Sequence, residues 1–245
     1  MLVKACPKAK VMVNPDRATG AEKAISEYGA KLLIVDDGFQ HRKLARDIDI
    51  VAIDATIPFG RGRILPAGLL REPVSSLKRA DAVVITRINQ TQPENIGQIK
   101  SRISAVNPDI VFATAVHKPA YAKLMKGQRI SLEQLAEKKV YAFCGIGNPD
   151  AFFQTLGELA LNIVGTRVYN DHHSYTDSDI EAICRQGRYK QADMIITTQK
   201  DWIKTALLCM EKFDIPIAHL AVELEFIDGR QEIINLIEGA IKKYV

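Results

Sequence analysis

Short β-branched runs alternate with longer amphipathic stretches along this chain, and that alternation restricts its fold more than any other feature. Residues 11–13, 32–35, 50–53 and 83–86 read as strands, followed by 140–143, 163–168, 194–197 and 217–222. Helical patterns occupy 21–28, 96–106, 131–138, 149–159, 178–189 and 202–210. Parallel strands need long crossover connections, usually helices, so this order predicts an α/β fold with mostly parallel sheet. Two helix starts are marked: Ser131 with Gln134 spells a capping box, and Asn148 precedes a proline suited to the first helical position.

With 245 residues the chain has room for one large or two small domains. Periodicity breaks over 117–128, where Lys118-Pro119 and Gly127 fall. The expected division is a first domain over 1–117, a linker over 118–130, a second α/β domain over 131–220, and a closing segment over 221–245. That segment has a strand-like run at 221–227 and an amphipathic helix at 233–244, packing on the second half or returning to the first. A net charge of +4 does not demand nucleic acid, and it suits a phosphorylated ligand or an anionic membrane surface. No apolar run is long enough to span a bilayer. Cys6, Cys144, Cys184 and Cys209 are scattered without C-x-x-C spacing, which reads as a reduced, cytoplasmic chain.

Chemistry concentrates in a few places. Leu32-Leu33-Ile34-Val35 leads into Asp36-Asp37-Gly38-Phe39-Gln40-His41. An apolar strand closing on Asp is the Walker-B arrangement, which holds Mg²⁺ against nucleotide phosphates. The alternative is a solvated turn or a helix cap. Mg²⁺ takes one or two protein carboxylates, so Asp36 and Asp37 can divide the work, one facing a metal and the other a helper group. Gln40 and His41 reach the same edge. The usual phosphate cradle, G-x-x-x-x-G-K-[ST], does not occur in the chain.

A long loop, 59–73, carries Arg61, Arg63 and Arg71, whose forked donors suit phosphate oxygens, beside Glu72, a hard metal ligand or an orienting acid. Asn170-Asp171-His172-His173 offers one imidazole hydrogen-bonded to a carboxylate, able to orient or shuttle a proton. Gly145-Ile146-Gly147 hints at a dinucleotide fingerprint, but Asp150 occupies the third glycine position, so it reads as a tight strand-to-helix turn. In Thr197-Thr198-Gln199-Lys200-Asp201, Lys200 is placed to meet an anion and Asp201 to cap a helix. His117, His219 and Trp202 read as packing or surface residues.

Six blocks taken together resemble the tetraacyldisaccharide 4′-kinase (lipid A 4′-kinase) family: Asp16-Arg17, Asp36 to His41, the Leu65-Pro66-Ala67-Gly68 to Leu70-Arg71-Glu72-Pro73 loop, Phe143 to Pro149, Asp171-His172-His173, and Thr197 to Asp201. They stand in the family's order across nearly the whole chain. The resemblance implies a membrane-associated P-loop kinase. Such a kinase uses ATP and Mg²⁺ to phosphorylate the 4′-hydroxyl of a tetraacylated glucosamine disaccharide 1-phosphate, a lipid A precursor, at the cytoplasmic face of the bacterial inner membrane. It also implies two α/β/α domains joined by a short β linker, with crossings near 111–123 and 221–226 and the last helix back on the first domain. By position Asp36 and Asp37 match the Walker-B acids and His172 the histidine paired with Asp37. Gln40 and Glu72 match groups near the metal, and Arg17 and Arg71 match phosphate or substrate contacts. His41, Arg61 and Arg63 complete the expected phosphate-binding set.

Two departures stand out. Gln199 occupies a position where the family usually has Glu. The family's membrane-anchoring helix, glycine-rich phosphate loop and proposed catalytic aspartate would precede Met1, so a first domain truncated at its N-terminus, with weak ATP binding and negligible turnover alone, is the expectation. Two other functions compete: a non-catalytic glycolipid- or protein-binding module, and a metal-dependent phosphohydrolase using Asp36, Asp37 and His172.

Overall fold

A computed structural model describes residues 3, 6–125, 127–205, 208 and 214–244. The strands are β1 (Ile50–Asp54), β2 (Ala82–Thr86), β3 (Val111–Leu124), β4 (Arg129–Ile130), β5 (Lys139–Cys144), β6 (Asn162–Val168), β7 (Met194–Thr198) and β8 (Ile217–Asp228). The helices are α1 (Arg17–Tyr28), α2 (Pro93–Ser104), α3 (Leu132–Ala136), α4 (Pro149–Glu158), α5 (Asp177–Tyr189), α6 (Gln199–Thr205) and α7 (Arg230–Ile241). Ladders β1–β2, β2–β3, β5–β6, β5–β7 and β7–β8 are parallel, and β3–β4 is antiparallel. The α/β, mostly parallel expectation holds.

The chain falls into two compact units, Met1–Ala115 with Phe226–Val245, and Val116–Glu225. In the first unit β2 is buried at all five positions. Side chains alternate across a strand. Val83 and Ile85 therefore join Leu77 and the Ile99 and Ile103 face of α2, while Ala82 and Val84 meet Ala113, Ala115 and Ile233 of α7. A strand covered on both faces needs no polar side, which is why its sequence is a continuous apolar run. The second unit repeats the device on β5. Val140, Ala142 and Cys144 pack with Phe152 and Leu156 of α4, and Tyr141 and Phe143 pack with Ile180, Ile183 and Cys184 of α5. Each such fully buried large side chain contributes about 1.5–3 kcal/mol.

Local signals place the helix ends. Asp16 accepts hydrogen bonds from the Ala18 and Thr19 amides to start α1, and Gly29 ends it with φ 61°. The Ser131–Gln134 capping box forms at α3, and the Asn148 side chain accepts from the Ala151 amide at α4.

The structure corrects several expectations. Segments 11–13 and 32–35 are not strands: Val13 is 90% and Ile34 91% exposed, and neither segment joins a ladder. Apolar composition makes a strand only where a neighbour takes up its backbone groups, and among the described residues β1 is paired on one side only, by β2. Lys118-Pro119, where the periodicity breaks, does not end an element but lies in the interior of β3. Pro119 stands between the residues paired to β2 and those paired to β4, so its missing N–H costs neither of those ladders a bond. The runs at 217–222 and 221–227 form one strand, β8. The helix expected over 202–210 spans Gln199–Thr205, and residues 206, 207, 209 and 210 lie outside the described residues.

Candidate active site

Asp36 and Asp37 form a turn rather than the end of a strand. Asp37 has φ 53°, a left-handed conformation that Asp tolerates better than most residues. The residues just after this turn anchor it. Phe39 is half-buried against the first unit's core, and the Arg79 guanidinium lies 4.4 Å from its ring centroid. Arg79 also donates to the Phe39 carbonyl at 3.3 Å and to the Glu72 carboxylate at 2.7 Å. Next to Glu72, Arg71 reaches back to Asp37 at 2.6 Å and to the Gln40 side-chain oxygen at 3.4 Å. Adjacent residues 71 and 72 thus grip the acid turn twice, once directly and once through Arg79.

The loop that delivers them is closed by its own backbone. The Leu69 amide donates to Gly60, Leu70 to Arg63, and Leu65 to Leu70, at 3.1, 3.1 and 2.8 Å. Arg63 is exposed on this loop, and Arg61 lies in its opening turn, Pro58–Gly62.

Electrostatics divides the acids. The hydrogen bond from Arg79 holds the Glu72 carboxyl below the usual glutamate range. Glu72 is therefore committed to a guanidinium, whereas Asp37 is 62% exposed beside an Arg71 that is 56% exposed. Both remain open to solvent. Among the described residues no group of three or more His, Cys, Asp or Glu side chains is arranged to hold a metal ion. A Mg²⁺ carried on nucleotide phosphates needs only one or two carboxylates, and the hard oxygens of Asp36, Asp37 and Gln40 fit that donor chemistry.

The remaining expected residues stand elsewhere. Arg17 opens α1 and donates to the Asn14 carbonyl. His41 is exposed, and Arg46 holds its carbonyl at 2.7 Å. His172 belongs to the second unit, with φ 60°, a side chain 86% exposed and a ring nitrogen 3.6 Å from Asp171. Its neighbour His173 makes the firm carboxylate contact, 3.1 Å to Asp179, and stacks on Tyr169 at 4.5 Å. Asp201 does not cap α6: Thr198 accepts from the Asp201 amide at 3.1 Å instead. Sequence reasoning missed Arg79, whose one signal was the excess of basic residues from 42 to 79.

A mostly parallel α/β fold with forked guanidinium donors interleaved with carboxylates defines a class of protein suited to phosphorylated ligands. The family model described as Tetraacyldisaccharide-1-P 4'-kinase matches residues 1–242. A Tetraacyldisaccharide 4'-kinase from Syntrophus aciditrophicus is 40% identical over 232 residues, covering 91% of this chain and 61% of that protein. One from Halothermothrix orenii is 36% identical over 213 residues, covering 83% and 56%. The crystal structure of LpxK from Aquifex aeolicus in complex with ATP superposes with a TM-score of 0.65 at 25% identity, covering 94% of this chain and 64% of that one. The chain belongs to the tetraacyldisaccharide-1-P 4'-kinase family, as the ordered motifs indicate, and spans roughly three fifths of the length of these relatives.

Proposed function

We propose that this chain is the acid-turn and arginine-loop portion of a lipid kinase. The kinase transfers the γ-phosphate of ATP to the 4′-hydroxyl of tetraacyldisaccharide 1-phosphate, a step of lipid A biosynthesis. The observation that carries this reading is the Arg71–Asp37 contact at 2.6 Å, which joins two of the family's blocks into one polar site.

The residues divide the work. Arg71 offers its remaining N–H groups to phosphate oxygens and keeps Asp37 oriented. Glu72 acts through Arg79, which fixes the Phe39 backbone and so the turn. Arg17, His41, Arg61 and Arg63 supply further positive charge for the phosphates of nucleotide and acceptor. His172, in the second unit, serves in proton handling. Mg²⁺, held by Asp36 with Asp37 and Gln40, would neutralise charge developing on the transferred group. Two α/β/α domains of the P-loop kinase type, divided near 117–130, are part of the reading. The acyl chains of the acceptor put the reaction at the inner membrane surface, and among the described residues no helix is long and apolar enough to cross a membrane.

Because the chain contains no G-x-x-x-x-G-K-[ST], the test uses a chimera in which residues 1–242 replace the matching segment of the Syntrophus aciditrophicus relative. The chimera is expected to transfer labelled γ-phosphate to the acceptor, and Asp37→Asn to abolish transfer. Phosphate release from a simple ester without nucleotide would favour a phosphohydrolase. Glycolipid binding indifferent to ATP and to Asp37→Asn would favour a binding module.

A further inference from the structure

Two sequence blocks remain unused by this reading, the Gly145-Ile146-Gly147 turn and Thr198 to Asp201, and they meet at one buried side chain. Asp201 is wholly buried. Its Oδ2 accepts from the Gly145 amide at 3.0 Å and from the Thr198 hydroxyl at 2.7 Å. Among the described residues its Oδ1 makes no hydrogen bond, and it faces the Lys204 ammonium at 3.5 Å, which lies equally far from the Gly145 carbonyl oxygen. A buried carboxylate is tolerated only when paired and hydrogen-bonded. Here the pairing draws the turn after β5 onto the start of α6, across 56 residues of sequence.

The fixed turn also serves as a seat. A methyl group on Gly145 would lie 2.8 Å from the Tyr175 hydroxyl, 3.2 Å from the Asn170 carbonyl oxygen and 3.3 Å from the Tyr169 Cβ. One on Gly147 would lie 3.2 Å from the Asp171 carboxylate. Both glycines are notches filled by the 169–175 loop. The Tyr169 amide ties that loop to the Cys144 carbonyl at 2.8 Å. Within it Tyr169, His173 and Tyr175 pack ring to ring, with centroids 4.5–5.2 Å apart, leaving His172 to project. Burial together with the Asp201 charge keeps the Tyr175 hydroxyl protonated.

We propose that Asp201 is a positioning residue: its buried carboxylate fixes the Gly145–Gly147 turn as the seat for the loop that presents His172. The functional meaning of this arrangement rests on the reading of His172 as a working imidazole.

The test is amide order parameters by NMR on the 245-residue chain. Amides 171–173 are expected near about 0.85, as in rigid backbone, and below about 0.6 in Asp201→Asn, with β5 and β7 unchanged. Thr198→Val, which removes the hydroxyl that donates to the Asp201 carboxylate at 2.7 Å, is expected to loosen the same three amides and decides the matter if Asp201→Asn fails to fold. Unchanged order in either folded variant, or loosening spread evenly over β5 and β7, overturns the proposal. His172→Ala in the chimera tests the underlying reading separately. Full transfer activity there removes the role of His172 and leaves the loop measurement standing.

Discussion

The Arg71 guanidinium sits 2.6 Å from the Asp37 carboxylate, across 34 residues of sequence, with both side chains more than half exposed. An exposed ion pair contributes only about 0–1 kcal/mol to folding, because water screens it and two long side chains must be held still. Arg71→Ala and Asp37→Asn are therefore expected to move the thermal midpoint little. In the chimera each is expected to lower kcat/KM for phosphoryl transfer by roughly 100-fold or more, the scale for removing one electrostatic contact to a transition state. Paired melting curves and kinetics check this, and near-normal kinetics in either variant would sink the assignment.

The Glu72–Arg79 pair is less exposed, and its consequence lies in acid. The hydrogen bond from Arg79 lowers the Glu72 pKa below its ordinary 4.5. A carboxyl with a depressed folded value contributes stability that is present above 4.5 and lost as pH falls through the lower, folded value. Glu72→Gln is expected to weaken the fold near neutrality and to flatten the decline of stability below pH 4.5. Urea unfolding at neutral and acid pH, compared with wild type, measures both effects.

His219 has the opposite charge type and the same direction in acid. Burial, reinforced by the nearby Lys123 charge, pushes its pKa from 6.5 to about 4. Between those values the unfolded chain binds a proton that the folded chain does not, so stability falls as pH drops from 6.5 toward 4. The loss is on the order of 3 kcal/mol. His219→Phe keeps a ring beside Trp202, 5.1 Å away by centroids, and is expected to remove that portion of the decline. A pH-stability curve identical to wild type would refute it.

The thiols offer a check on packing. Burial pushes Cys144 up to about 12 and Cys184 up to about 11, while Cys6 is exposed. Only the thiolate is nucleophilic. Iodoacetamide at about pH 8 is expected to label Cys6 within minutes and to leave Cys144 and Cys184 intact until denaturant is added, as peptide mass mapping will read.

How far the sequence disclosed each element depended on the range of the interactions behind it. Strand β2 and segment 32–35 have similar apolar composition, yet one is buried on both faces and the other has Ile34 91% exposed. The difference lies in whether a neighbouring strand takes up the backbone, which no local window contains. Capping at Ser131 and Asn148 was legible because both partners lie within three residues. Arg79 was not, since its hold on Phe39 spans 40 residues and rests partly on a ring face. Nor could adjacent histidines be told apart by composition: ring stacking on Tyr169 and the Asp179 contact set His173 apart from the projecting His172.

The left-handed backbone at Asp37 and His172, with φ 53° and 60°, carries a last consequence. Such a conformation costs most side-chain-bearing residues about 1–2 kcal/mol and Asp less, whereas glycine adopts it without steric cost but gives up more chain entropy on folding. Glycine in place of His172, whose side chain is 86% exposed, should raise the melting temperature slightly. A lineage filtered for heat resistance alone would drift toward glycine there and, on the proposed reading, lose the imidazole that transfer needs, so durability and function pull that position in opposite directions.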